Sequence, residues 1–457
     1  MTLVDPLREL LGNEIIADDP ETLAVHSGDK WFASETPQAV VFARSTSDVS
    51  KLLKFASERK ISVTARGAGF GYVGGCVPAR KGIALSLMRM NRIKEISFAD
   101  AIAIVEPGVI TADLKTAACA KKLFYPPDPA SMADCSIGGN IATNAGGPRC
   151  LKYGVTRNYV IGLEVVIANG DVLRLGGRVH KNKTGFDLIG LFVGSEGMLG
   201  VVTEIVLRLL PLPPARATIS AAFAKMSEAA AAVQQIFASG FLPASLEIAD
   251  SFTLEAARKD LGTAIVPTGN AHLLVDLDGQ EESVRSDANA IRKLLAEKKA
   301  NALEMATGEE NCEKLWALRR QFSNSLRATG LTKLNEDVVV PRSRIVDLVE
   351  FAEQLQARHG FPIACFGHAG DGNIHVNIMA DRYNRDAAVR EKVEQALDDL
   401  FAQVLAWDGV ITGEHGIGLA KKRWWPEATS EPVRDLHRKL KQVLDPNGIL
   451  NPGKFVD

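Results

Sequence analysis

The sequence predicts an α+β protein of two or three domains. Three observations carry this. A chain of 457 residues exceeds what one ordinary hydrophobic core organises. From Ala39 to about Leu212, short β-rich runs alternate with helices and glycine loops, whereas the later chain consists of alanine-rich helices and separate strands. Between these textures, Leu212-Pro213-Pro214 reads as a linker.

The elements follow in order. Pro6 to Leu11 reads as an amphipathic helix. Val40-Val41-Phe42 is a strand, and Asp48 to Arg59 a helix capped by Ser47 or Asp48. Further strands are expected at Ile61 to Ala65, Ile83 to Leu87, Ile102 to Val105, Tyr159 to Ala168 and Val201 to Leu209. Beyond the linker, Ser227 to Ala238 is a helix and Ala271 to Asp276 a strand. Phe361 to Phe366 and Ile374 to Met379 are strands joined through Asp371-Gly372, a strong hairpin signal. Val433 to Leu444 is a helix stopped by Asp445-Pro446. There is no internal repeat and no low-complexity tract.

Composition narrows the function classes. A hydrophobic share of 46% with 24% charged residues is that of a soluble globular protein. A net charge of −2 gives no support for nucleic-acid binding. The start, Met1-Thr2-Leu3-Val4-Asp5-Pro6, lacks the basic and apolar regions of a secretory signal, and no apolar run reaches membrane-spanning length. Cys76, Cys119, Cys135, Cys150, Cys312 and Cys365 are dispersed, with no C-x-x-C pair. They read as reduced thiols of a cytoplasmic protein and argue against an iron–sulfur cluster in this chain.

The segment from Cys365 to Asn377 is the most informative. It sets His368 and His375 seven positions apart around a tight turn, which would bring them together. Period-2 geometry puts His375 and Asn377 on one face of the second strand. Thr412-Gly413-Glu414-His415-Gly416 is a second polar cluster between glycines. Two imidazoles and a carboxylate suit a metal with open positions for substrate. Imidazoles also serve as structural hydrogen-bonders, and spacing alone leaves both readings open.

The glycine loops need sorting. Arg66-Gly67-Ala68-Gly69-Phe70-Gly71-Tyr72-Val73-Gly74-Gly75 follows a strand but is not G-x-G-x-x-G, and no helix clearly follows it. A Rossmann nicotinamide site is therefore not expected. The loop offers exposed backbone N–H groups to a pyrophosphate, or it is a turn between strands. Gly448 to Lys454 superficially matches a Walker A loop, but Phe455 stands where Ser or Thr should bind magnesium.

Three further segments alter this balance. They are Pro126 to Ser131, Ser136 to Gly147 and Gly194 to Thr203, each combining small residues with hydroxyl or amide side chains. In this order, behind the Arg66 loop, they resemble the flavin-binding domain of the vanillyl-alcohol oxidase/p-cresol methylhydroxylase superfamily. The His368 hairpin, Gly413-Glu414-His415-Gly416 and Asn451-Pro452-Gly453-Lys454 are similar to segments of the FAD-linked D-2-hydroxy-acid dehydrogenases. That group includes the glycolate oxidase FAD subunit, D-lactate dehydrogenase and D-2-hydroxyglutarate dehydrogenase. The resemblance covers nearly the whole chain.

It implies a two-subdomain FAD-binding domain of the p-cresol methylhydroxylase type over 1–213. A substrate or cap domain with an antiparallel sheet and a metal site would span 214–417, and 418–457 would return to the FAD domain. FAD, held non-covalently because the Arg66 loop has no histidine, would rest its pyrophosphate on Arg66, Gly67, Ala68, Gly69, Phe70, Gly71, Gly74 and Gly75. Its ring system would sit near Pro129, Ser136, Gly139, Asn140, Thr143 and Gly147. Glu196, Gly197, Val202 and Asn451 would line the cofactor further along. His368, His375 and Glu414 match the family's ligands for a divalent metal, zinc or manganese. His415 matches the proposed base, Arg319 the substrate-carboxylate binder, and Asn377 a polar residue near substrate and flavin.

The implied activity is oxidation of a D-2-hydroxy acid, of D-lactate or glycolate type, to the 2-keto acid. Electrons would pass to an external partner: an iron–sulfur protein, an electron-transfer flavoprotein or a quinone-linked protein. Such a partner could bring the chain to a membrane, and a homodimer is compatible with the resemblance. Lys333 is offset from the hydroxyglutarate branch's lysine, and Ser323 stands where that branch often has threonine, so the match there departs from the dicarboxylate pattern. An oxygen-using flavin alcohol oxidase and a non-catalytic flavoprotein subunit are the competing readings. Retention of His368, His375, Glu414 and His415 argues against the latter.

Overall fold

The computed structural model describes residues 3–456. Its helices and strands make the α+β protein that the sequence predicts. Contacts divide it into two units. The first comprises Met1–Gly146, Val155–Leu212 and Glu414–Asp457, and the second Gly147–Gly154 and Pro213–Gly413. The chain thus leaves the second unit at Gly413, and a short detour, Gly147–Gly154, lies in that unit although its neighbours in sequence do not.

The first unit holds two larger sheets and a two-stranded one, Leu123–Phe124 with Leu210–Pro211. In the four-stranded one, Ala39–Phe42 and Val63–Arg66 flank Ile83–Ser86 in parallel, and the short strand Ile16–Ala17 closes one edge antiparallel. The helix Thr46–Arg59 buries Val49, Leu52, Leu53 and Ala56, in one core cluster with Val41, Val63 and Leu85. Its cap is Ser45, whose hydroxyl accepts the Asp48 N–H, rather than Ser47 or Asp48. Asp48 instead accepts the Arg44 N–H from inside the first turn, so the cap lies three residues upstream of that carboxylate. The C-terminal segment reaches this sheet as well. Val63 donates to the Ile449 carbonyl at 2.8 Å, and Asn451 donates to that of Val63 at 2.8 Å.

The second sheet is antiparallel and five-stranded, in the order Ile93–Ser97, Ile102–Val105, Val201–Arg208, Val160–Val166, Val172–Gly176. The three inner strands are those the sequence predicts. Both edge strands lie outside the predicted set, being short and broken by charges, Lys94 and Glu95 in one and Arg174 in the other.

The second unit is built on a seven-stranded antiparallel sheet. Its order is Ala302–Thr307, Ala215–Phe223, Ala271–Gly279, Ser245–Ala249, Ile363–His368, Asn373–Ala380, Thr332–Val339. Residues 271–278 are buried without a break, so both faces of that strand are covered. The helices Ser251–Leu261 and Glu309–Ala328 pack on each other. Their Leu254, Leu318, Phe322 and Leu326 form one core with Ala249, Ala364, Phe366 and Met379 of the sheet.

Candidate active site

The hairpin forms as its sequence directs. Ile363–His368 and Asn373–Ala380 pair antiparallel, with His368 opposite Asn373 and Phe366 opposite His375. The turn Ala369-Gly370-Asp371-Gly372 closes them. Gly372 has φ +86°, and a Cβ there would meet the Val340 carbonyl at 2.1 Å, so only glycine fits. The imidazoles of His368 and His375 end with ring centres 5.6 Å apart and nearly perpendicular. Both are buried.

The edge strand Thr332–Val339 then positions the third candidate ligand. Asp337, opposite His375 in register, is fully buried. Its carboxylate accepts from Thr412 Oγ1 at 3.0 Å and from the Gly413 N–H at 2.9 Å. Glu414 is the next residue, carried by the peptide bond it shares with Gly413. Ligand atoms of His368, His375 and Glu414 lie within 4.8 Å of one another. Two imidazoles and one carboxylate fit a borderline divalent cation with open coordination positions.

Two residues behind this set were invisible at sequence level as site residues. Glu247, 1% exposed, accepts from His368 Nδ1 at 2.7 Å and pairs through its other oxygen with Arg319 Nη2 at 2.6 Å. Burial works to raise its carboxyl, but the charges and hydrogen bonds of His368 and Arg319 outweigh it and hold it below the ordinary value. Asp337 is the second. The signal that could have found Glu247 is a lone acid inside an apolar strand, Leu246-Glu247-Ile248-Ala249, where a charge must have partners.

Arg319 sits on the helix Glu309–Ala328, its guanidinium 4.9 Å from the Phe366 ring centre. Glu247 takes Nε and Nη2, and Nη1 is outside that pair. Asn377 is fully buried and donates to the carbonyls of Ala364 and His375 at 3.0 Å each, while its Oδ1 has no hydrogen-bond partner among the described residues. Asn335, opposite it in register, also has a buried Oδ1 without a partner. Buried amide oxygens are normally satisfied, so this pair suits a ligand's donors.

In the first unit the glycine motifs converge. A Cβ on Gly67 would lie 2.3 Å from Ser136 Oγ and 3.6 Å from the Gly139 N, so loop and helix start touch. Ser136 caps its helix by accepting the Gly139 N–H. Asn451 Nδ2 donates to the carbonyls of Gly75 at 2.9 Å and Glu196 at 2.7 Å, tying two motifs to the C-terminal one. Gly197, at φ +71°, lies over Ala65 and Asn451. Gly69 and Gly74 also have positive φ, and a Cβ on Gly75 would have only Val73 within 4 Å. Such a cradle fits a bulky polar cofactor brought close to backbone.

Other expected cofactor residues make protein contacts. Arg66 donates to the Gly28 carbonyl and approaches Cys76 Sγ at 3.2 Å. Asn140 is buried and donates to Thr111 Oγ1 at 2.7 Å, and Thr143 Oγ1 donates to the Gly139 carbonyl at 3.3 Å. Gly71 accepts from the Lys30 N–H, while Ala68 and Phe70 are half-buried in the same loop. Pro129 accepts from the Met132 N–H, and Val202 is half-buried opposite Val165. Gly147 falls in the detour belonging to the second unit.

Glu196 is buried, and its carboxylate accepts the N–H groups of Ile417 at 2.8 Å and Gly418 at 2.9 Å. Burial raises this carboxyl against the pull of those two groups. Glu196 therefore braces the loop that carries His415. From the Arg66 loop, Tyr72 stacks against the His415 ring, with centres 5.3 Å apart and planes at 29°. Neither contact is legible in the spacing of the motifs.

Comparison with known proteins decides the family. Residues 37–176 match the family model described as an FAD binding domain, and residues 212–455 match the one described as FAD linked oxidases, C-terminal domain. The chain belongs to the FAD-linked oxidases. Like other FAD-linked oxidases, it is an FAD-dependent oxidoreductase. It is 41% identical to the glycolate oxidase subunit GlcD of Bacillus subtilis, over 92% of this chain and 89% of that one. It is 32% identical to a D-lactate dehydrogenase of Anaerostipes hadrus, over 99% and 95%. Among solved structures it resembles p-cresol methylhydroxylase with substrate bound, at 20% identity and TM-score 0.81, covering 99% of this chain and 96% of that one. This last likeness is one of fold.

Proposed function

We propose that this FAD-linked oxidase oxidises a small D-2-hydroxy acid, of glycolate or D-lactate type, to the 2-keto acid with the help of a divalent cation. The observation that carries the reading is the set of His368, His375 and Glu414, with ligand atoms within 4.8 Å of one another, in a chain so similar to a glycolate oxidase subunit. Bound over the Arg66 to Gly75 loop, FAD would supply the hydride-accepting chemistry. His368, His375 and Glu414 would hold a zinc or manganese ion, which would supply Lewis-acid chemistry. The remaining work falls to side chains. His415 takes the hydroxyl proton on a ring nitrogen, with Tyr72 and Glu196 fixing its ring and its loop. Arg319 holds the substrate carboxylate with charge-assisted hydrogen bonds. Asn377 Oδ1 accepts a hydrogen bond from substrate or flavin. The loop from Arg66 to Gly75 receives the pyrophosphate without a covalent link.

Electrons leave to an external acceptor: an iron–sulfur protein, an electron-transfer flavoprotein or a quinone-linked protein. The Bacillus subtilis relative is itself named as a subunit. Among the described residues no helix is long and apolar enough to cross a membrane, so attachment there would depend on the partner.

A second reading, oxidation of a dicarboxylic hydroxy acid such as D-2-hydroxyglutarate, is favoured by Lys333. Its Nζ donates to Ser323 Oγ at 2.7 Å, and Arg319 is among the charges that lower its pKa, so a second basic group stands near the proposed carboxylate anchor. A panel of glycolate, D-lactate, L-lactate and D-2-hydroxyglutarate, assayed by dye reduction with the purified FAD-loaded chain, separates these readings. Reduction with none of them, or with L-lactate alone, would overturn both. His375→Ala should strip the metal and lower activity by about 10²–10³, the scale of several kcal/mol of Lewis-acid stabilisation, while FAD stays bound.

A further inference from the structure

We propose that Glu247 is a positioning residue, which selects the imidazole tautomer of His368 that can bind metal and shares its carboxylate with Arg319 to fix both groups at once. This rests on the metal reading above. Glu247 stands in the middle of the seven-stranded sheet, opposite His368 across one strand pair and opposite Leu274 across the other. Oε1 accepts from His368 Nδ1 at 2.7 Å and from Ser245 Oγ at 3.3 Å. Oε2 accepts from Arg319 Nε at 2.7 Å and Nη2 at 2.6 Å.

The carboxylate is therefore taken up by its own chain and acts through its partners. An ionised carboxylate only accepts, so it demands a proton on His368 Nδ1 and leaves Nε2 with a lone pair for the cation. A buried carboxylate is costly unless it is fully paired, and here the pairing partners are two residues with separate roles in the proposed site. One anion thus aligns a candidate metal ligand and the candidate carboxylate anchor on one sheet face.

Glu247→Gln tests this because a carboxamide has one acceptor and one donor end. The Arg319 cation draws the amide oxygen, which turns the amide NH2 toward His368. Nδ1 must then accept, and the proton moves to Nε2, where it blocks the cation. Zinc and manganese affinities, measured by competition with a chelating dye, should fall about 10–100-fold in E247Q, the usual scale for removing a metal ligand's supporting group. Flavin content should not change. Adding Arg319→Met frees the amide oxygen for His368, so the double variant should regain most of the metal affinity. A merely structural role predicts the opposite, a further loss.

If the wild-type chain binds neither zinc nor manganese, the metal reading fails and this inference falls with it. If the wild type binds metal and E247Q binds it equally well, the inference is overturned and the metal reading stands. Should E247Q lose flavin and fold, nitrogen-15 histidine NMR of the zinc-loaded wild type decides. A proton on Nδ1 and metal on Nε2 of His368 supports the proposal, and the reverse assignment overturns it.

Discussion

The two units build their sites from different materials. In the first, backbone does most of the work: glycines at positive φ, carbonyls held by Asn451, and a loop braced by Glu196. In the second, side chains do it: imidazoles, Arg319, Glu247 and Asp337 standing on paired strands. A cofactor as large as FAD needs close approach over many atoms, which small residues supply. A small substrate and a cation need few groups at fixed angles, which a rigid sheet supplies. The difference teaches that damage to the first unit should appear as lost cofactor, and damage to the second as lost chemistry or substrate affinity.

His415→Asn puts this division under most pressure, because His415 lies in the first unit yet is assigned to chemistry. Its rate of flavin reduction in stopped flow should fall by about 10²–10⁴ with FAD retained. An unchanged rate would mean that another group takes the proton. Next comes Arg319→Met, which should raise KM by about 10–100-fold, as expected for one charged hydrogen-bonding group worth about 1.5–3 kcal/mol. A fall in kcat with KM unmoved would place Arg319 in the transition state alone. Gly69→Ala should do the reverse of both. At φ +77° the new methyl would strike the Arg66 guanidinium, and the backbone strain of about 1–2 kcal/mol should weaken FAD binding by about 5–30-fold. At saturating FAD its reductive rate should match the wild type; a slower rate would show that the loop shapes chemistry as well as binding.

A further effect concerns pH. Burial, with Arg327 and Arg319 adding to it, lowers the Lys333 ammonium to about 7 from an ordinary 10.5. Between those values the unfolded chain binds the extra proton, so stability should climb as pH rises through this window. Below about pH 7 both states are protonated and the penalty is fully present. Lys333→Met should flatten the climb in thermal melts between pH 7 and 9. An unaltered slope would show that Lys333 is well solvated.

Much of this was legible in the chain before the structure. The hairpin announced itself through a strand-like apolar run on each side of Asp371-Gly372, because both strands lie inside the sheet and are buried on both faces. The polar loops declared a cofactor only in combination, since each is an ordinary turn by itself. What stayed hidden has physical reasons. Ile93–Ser97 and Val172–Gly176 are sheet edges, short strands in which charged residues leave few apolar positions. Glu247 reaches His368 and Arg319 over 121 and 72 positions of sequence, and no local pattern reports such a pairing. Tyr72 finds His415 in the same long-range way.

The detour Gly147–Gly154 sets a limit on how this molecule can be cut. Lys152 Nζ and Tyr153 OH both bind Asp278 Oδ1, at 2.6 and 2.8 Å, and Arg149 lies 3.7 Å from the carboxylates of Asp276 and Asp278. Leu151 fills the space beside Gly370, in the turn between the two histidine strands. A fragment spanning 213–413 carries every strand of its sheet and both histidines, yet would leave Asp278 without those donors and the turn without its neighbour. The two units can be told apart in space but not separated by a pair of scissors at the proline linker; eight residues from upstream have to travel with the piece that is removed.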